Sequence, residues 1–366
     1  MQESLKGREE PWLIEARAIV ADLSARSAPI YWIDFLLSVS LAWLIAGIYF
    51  IVPLASALGL LALVMASTLF FRAGVFMHEL VHMPPGQMVW FGRIWNTLQG
   101  IPLLMPWILY RNHVDHHSAQ RFGSPDDGEY LPLARSPLRE VLKYLVQVPL
   151  LPLFMLVRFG LLGPLSWWHD GFREWVLTHV SAAVSNPYYR KRFPSHEERH
   201  LLIVEMACFA WLVTIALAAT SGLVTPPQLG KAYLLLACAL GMNWLRNLVA
   251  HRYDNSGEPM SHLDQFYHSI NITGGGLITR MLFPTGMRYH ALHHLFPSIP
   301  YHHLPEAHHR LSRQLPADSP YHTTGRASFG VAIAELLRTA WRTPPSQSAM
   351  PNWHSSRKFV EGPLKG

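Results

Sequence analysis

Four short stretches carry histidine at spacings that let several imidazoles act on one atom. HELVH places His78 and His82 one helical turn apart, so both rings leave the same helix face. HVDHH supplies His113, His116 and His117, and HALHH repeats that pattern with His290, His293 and His294. NLVAH ends on His251, with Asn247 one turn earlier on the same face. Imidazole suits iron, copper and zinc. Nine such nitrogens exceed the four ligands of a tetrahedral zinc, and two ions fit the set better. A metal and dioxygen bring within reach the oxidation of an unactivated C–H bond, which side-chain acid–base groups cannot perform.

A strongly apolar chain must position these groups. Of 366 residues half are hydrophobic and only 15% charged, and mean hydropathy is positive at +0.14, the profile of an integral membrane protein. The net charge of +6 forms no long basic run and flanks apolar segments, which argues for membrane-flanking charge and against a nucleic-acid partner. Cys208 and Cys238 both sit in apolar segments, which excludes a disulfide framework and a thiolate zinc site. The opening MQESLKGREEPW has mixed charge and no apolar core, so no signal peptide is expected.

Crossing hydrocarbon takes roughly 20 apolar residues. The composition predicts an all-α membrane protein with four main transmembrane helices in two hairpins, at about 35–52, 55–76, 201–221 and 232–250. Pro53 and the SGLVTPPQLG stretch mark the two turns. Between the hairpins, apolar segments broken by proline and glycine predict interfacial or partly embedded helices rather than full crossings. The membrane domain is expected over 29–343, with loose polar tails at 1–28 and 344–366. Lys and Arg crowd the termini and the long middle segment, whereas the two outer turns hold little beyond Lys231. The positive-inside rule then puts both termini and all four histidine groups on the cytoplasmic side, as a histidine-rich cap.

With boxes reading HELVH, HVDHH and HALHH, the chain from about Phe35 to Arg310 resembles the membrane fatty-acid desaturases and their hydroxylase relatives. The resemblance implies two iron ions held by His78, His82, His113, His116, His117, His251, His290, His293 and His294. Asn247 would hold one through a water, with dioxygen as co-substrate and no catalytic residue beyond the metal centre. It further implies a lipid acyl substrate and desaturation of its chain. Because a His-Pro-Gly-Gly haem signature is missing, it also implies a separate electron donor, such as a ferredoxin or small haem protein with its reductase.

Hydroxylation or ketolation of a lipid, alkane or terpenoid by the same ligand set is the runner-up. HELVH also satisfies the HExxH pattern of zinc proteases, but one zinc leaves HVDHH and HALHH unexplained. A histidine-rich metal carrier would place ligands along the spans rather than at their ends. His302, His303, His308 and His309 are read as surface or supporting groups, as are His169, His179, His196, His200, His262 and His268. Asp115 and Glu79 are candidates to accept the distal ring N–H of a ligand. Glu205 is expected to snorkel to the interface, and Asn243 and Arg246 to face protein or a cavity rather than lipid.

Overall fold

The computed structural model describes residues 10–190 and 193–355. Helix α1 (Pro11–Val20) precedes a long hairpin, α2 (Ala28–Ile51) and α3 (Ala57–Val81). The hairpin turns so sharply that a Cβ on Gly59 would lie 2.2 Å from the Pro53 carbonyl oxygen, which only glycine avoids. Ser56 caps α3 by accepting from Gly59 N at 3.0 Å. Along the seam Ala42, Ala46 and Ala66 are fully buried, and small residues of this kind let two apolar helices approach closely. The opposite faces expose Leu44, Ile51 and Leu61, as expected of surfaces that meet lipid.

The middle of the chain supplies α4 (Val89–Trp95), α5 (His113–His116), α6 (Leu138–Val157), α7 (Gly163–Ser166) and α8 (Asp170–Val180). The second long pair is α9 (Ser195–Thr220) and α10 (Pro226–Asn247). Lys231, the lone cation of the outer turns, donates to the carbonyls of Tyr49 and Phe50 at 3.1 and 3.3 Å. It therefore stabilises the C-terminal end of α2, where unpaired carbonyls favour a cation. A cap follows: α11 (His262–His268), β1 (Asn271–Ile272), α12 (Leu277–Leu282), α13 (His290–Leu295), α14 (Leu304–Gln314), β2 (Gly325–Arg326), α15 (Phe329–Arg342) and α16 (Met350–Ser355). β1 and β2 pair in parallel, with Asn271 opposite Gly325.

The fold is all-α with four helices long and apolar enough to cross a membrane, but the four are α2, α3, the stretch Leu138–Ser166 and α9. The middle segment thus differs from the expectation of short interfacial pieces: Pro149 and Pro152 are accommodated inside α6, and α6 runs through a five-residue π-helical turn, Arg158–Leu162, into α7. α10, expected as a span at 232–250, carries Asn243, Arg246 and Asn247 in its last turns, is less apolar than those four, and packs between α3 and α6.

Two further expectations are corrected. Residues 11–24 are no loose tail, because Trp12, Leu13, Ala16, Val20 and Leu23 pack with Phe266, Leu292 and Leu311 in the core of the cap. At the other end Trp353 is fully buried and its indole N–H donates to Tyr130 O at 3.0 Å, anchoring residues predicted to be free. Positions 1–9 and 356–366 of the expected tails lie outside the described residues.

Candidate metal centre

Three local features aim the imidazoles inward. His78 lies in the last turn of α3 and His82 is its C-cap residue, so the i, i+4 pair leaves the helix on one face. α5 is one turn long and projects His113 and His117 to one side and His116 to the other. His251 follows α10 in a short extended segment paired with Ser269, facing α13, which carries His290, His293 and His294.

The nine rings sort into two groups, each with ligand nitrogens within 4.8 Å of one another: His78, His82, His113, His117 and His293, and His116, His251, His290 and His294. Each HxxHH box is divided between them. In the first group, His293 Nε2 lies 3.2 Å from the Nε2 of both His82 and His117, and His117 Nε2 lies 3.1 Å from His113 Nε2. In the second, His251 Nε2 lies 3.0 Å from the Nε2 of both His116 and His290. The groups touch where His117 stacks on His294, ring centroids 4.3 Å apart.

The proton positions make this closeness informative. His116 Nδ1 faces the Asp127 carboxylate at 2.8 Å and so carries the ring proton. Ser269 donates its hydroxyl to Gln265 O at 2.7 Å, leaving its oxygen to accept from His251 Nδ1 at 3.0 Å. Both Nε2 atoms are therefore bare lone pairs facing each other, which a cation between them relieves. Metal–nitrogen bonds of roughly 2.0–2.1 Å put adjacent ligand nitrogens roughly 3.0–3.4 Å apart in octahedral or tetrahedral sets, matching the observed separations. His78 has no hydrogen-bond partner on either ring nitrogen although it is buried. Burial holds His82, His113, His117, His251, His290, His293 and His294 well below the ordinary histidine range, as neutral rings able to ligate. At His116 burial also lowers the pKa, but Asp127 outweighs it and the net shift is upward. The residues present fit a pair of metal ions.

Of the carboxylates singled out in the sequence, Glu79 lies 3.7 Å from His78 Nδ1 while Asp115 meets none of the nine rings, and the carboxylates that hydrogen-bond the rings are two others. Asp115 accepts from Tyr189 and Arg121, and Glu79 from Tyr31 and the Tyr301 backbone. Asp127 holds His116, while Glu129 holds His113 Nδ1 at 2.6 Å and accepts from Tyr110 at 2.9 Å. Both come from PDDGEY, a loop that places them ten and twelve residues beyond the end of the box, and its acidic doublet and Asp-Gly turn were the only signal available. His302 accepts from Ser27 N and His303 meets Leu23 O, so both tie the cap to the N-terminal segment. His308 bonds Tyr321. None of His169, His179, His196, His200, His262, His268 and His309 joins either group. Glu205 does not snorkel: it is buried between Arg158 and Arg173, the latter at 2.6 Å.

Beside the first group a cavity of about 510 Å³ runs between α3, α6, α8 and α10. This volume is in the range of small-molecule sites. His78, Tyr110, Glu129, Arg246 and Asn247 line it, and Leu150, Phe154 and Leu240 supply an apolar wall. Asn247 Oδ1 accepts from Arg246.

A family model described as fatty acid desaturase matches residues 51–325. A ceramide hydroxylase of Caulobacter vibrioides (strain NA1000 / CB15N) is 34% identical over 327 residues, covering 88% of this chain and 92% of that protein. No solved structure matches.

Proposed function

This chain belongs to the fatty acid desaturase family, and on that premise we propose that it is a membrane-embedded, dioxygen-dependent hydroxylase of a ceramide-type lipid. At the coarser level it is an oxidoreductase of the desaturase and hydroxylase superfamily, acting on lipid, with helices fit for an integral membrane protein. The pair of separate imidazole groups, of five and four rings, supports oxidation of lipid, the five-ring group reaching the cavity through His78, and the similar Caulobacter protein carries the finer choice of hydroxylation.

One ion would be held by His78, His82, His113, His117 and His293, and a second by His116, His251, His290 and His294. Asn247, at the cavity wall, contributes through a water. Iron at these positions supplies activation of dioxygen and oxidation of a C–H bond. The remaining work belongs to the chain. Asp127, Ser269 and Glu129 fix ring orientation and tautomer, a role whose loss weakens metal sites. The apolar wall formed by α6 and α10 excludes water and holds the lipid chain against the imidazoles, where a displacement of about 1 Å costs much of the rate. Conversion of a methylene to an alcohol consumes one dioxygen, two electrons and two protons and releases one water. A separate small redox protein delivers the electrons, and the cap carrying the histidines faces the cytoplasm.

Hydroxylation takes precedence over the desaturation expected from the boxes because the similar Caulobacter protein is a hydroxylase. Desaturation remains the second reading, favoured by the family match itself. Expression in a ceramide-producing host under isotopically heavy dioxygen separates them by mass spectrometry. A lipid gaining one heavy oxygen supports hydroxylation, a lipid losing two hydrogens supports desaturation, and an unchanged lipid profile with active donor rejects both.

A further inference from the structure

Arg246 is 3% exposed, and its guanidinium is only partly used. Nε and Nη2 donate to Asn243 Oδ1 at 3.2 and 3.1 Å, and Nη2 also donates to Asn247 Oδ1. Nη1 has no partner, and among the described residues no carboxylate lies within ion-pair distance of Arg246. A buried cation held by neutral oxygens and left with free N–H groups is costly unless something accepts from it.

Two more buried polar atoms on the same cavity are also unpartnered, Trp244 Nε1 and Gln99 Oε1. Gln99 donates its Nε2 to Phe70 O at 2.9 Å, which fixes Oε1 as the free acceptor. Arg246 and Trp244 thus carry free donors and Gln99 a free acceptor, and all three residues line the cavity that His78 also lines. Gln99 Nε2 lies 3.4 Å from where a Cβ on Gly74 would stand, one turn before His78.

We propose that Arg246, anchored by Asn243 and assisted by Gln99, binds the polar linkage of the lipid, its guanidinium donating to an amide or hydroxyl oxygen. Gln99 Oε1 accepts from an N–H or O–H of the same linkage. A plain hydrocarbon or simple acyl tail offers nothing to these groups, whereas an amide-linked, hydroxyl-bearing lipid satisfies both kinds. With the linkage held on the cavity that His78 also lines, the position of the oxidised carbon is set by its distance from the linkage rather than from the end of the tail. Arg246 is in this sense a positioning residue, and the assignment rests on the lipid-hydroxylase reading.

The test uses the full-length, metal-loaded protein in detergent, with N-octanoyl sphinganine and octadecane as probes. Arg246→Met is expected to weaken the amide lipid about tenfold or more, as loss of a hydrogen bond to a charged group does, while octadecane binding and metal content per chain stay level. Arg246→Lys, which keeps the charge without the fork, is expected to spread the new hydroxyl to positions farther from the amide, read by fragmentation mass spectrometry. Should Arg246→Met fail to fold, as judged by circular dichroism, Asn243→Leu removes the anchor and carries the same test. Unchanged amide-lipid affinity together with an unmoved hydroxyl would overturn the proposal and assign Nη1 to a water. Arginine-dependent binding by a native chain that oxygenates no lipid would instead sink the hydroxylase reading and leave the polar site standing.

Discussion

Asp127→Asn separates the two imidazole groups chemically. Asp127 is fully buried, and each of its carboxylate oxygens serves two donors. Oδ1 accepts from Glu129 N at 2.8 Å and Oδ2 from Gly123 N at 3.0 Å, while His116 Nδ1 approaches both at 3.0 and 2.8 Å. An asparagine keeps the shape, but its NH2 must face one of the two backbone N–H groups whichever way the amide is turned. One hydrogen bond becomes a donor–donor clash, and the charge that fixes the His116 tautomer is gone. Loss of such a supporting group typically costs 10–100-fold in metal affinity, or about 1.4–2.7 kcal/mol. Turned so that its oxygen keeps the shorter bond to Glu129 N, and with it the carboxylate behind His113, the asparagine sets its NH2 against Gly123 N; His116 belongs only to the four-histidine group, so the five-histidine group is expected to keep its metal. Graded chelator challenge followed by elemental mass spectrometry should show one ion released at about 10–100-fold less chelator than in the parent and the other at the parent level. Parallel loss of both ions, or a release curve superimposed on the parent's, would refute the division into two sites and the role given to Asp127.

His82→Ala should lower metal content and abolish lipid oxidation, whereas His303→Ala, which loses a bond to Leu23 O and a ring contact with His302, should leave metal content intact; equal effects on metal would contradict the grouping. Glu205→Ala strands the buried guanidinium of Arg158 and should destabilise by about 3–5 kcal/mol, seen as a lower midpoint of thermal unfolding in detergent. A midpoint within experimental error of the parent's would mean that Glu205 reaches water after all. Trp353→Ala empties a fully buried site against Tyr130 and should cost about 3–5 kcal/mol. An unaffected protein would restore the free-tail expectation for this end of the chain. Gly274→Ala would bring a Cβ to 2.0 Å from the Ala327 carbonyl oxygen, and should raise hydrogen exchange of Thr273 N, whose bond to Arg326 O at 2.8 Å crosses the same contact.

The nine histidines were legible because the signal is local. An i, i+4 pair on a helix must share a face, and three boxes of matching pattern at the ends of apolar segments have few other uses. Their division into two groups follows a rule visible only once the helices are placed. The pairs one turn apart, His113 with His117 and His290 with His294, stay together, while the remaining histidine of each box, His116 or His293, crosses to the other group. Hydropathy identified long helices but not which of them meet lipid. α10 and the Leu138–Ser166 stretch are both apolar, and which is wrapped by protein depends on packing against α3 as well as on composition. The polar ends misled for a related reason: Trp12 and Trp353 are single anchors in polar sequence, and a window average hides them.

The amino-acid order by itself determined the chemistry, since residue type sets what can bind a metal and short-range spacing sets which side chains share a helix face. Only the tertiary structure decided the partners: Asp127 and Glu129 behind the ligands, Glu205 between two arginines, and Arg246 with a free N–H on the cavity wall. Those contacts join residues distant in sequence or held by loops without period, and their pairing is selected by the cost of leaving a charge or polar atom buried alone.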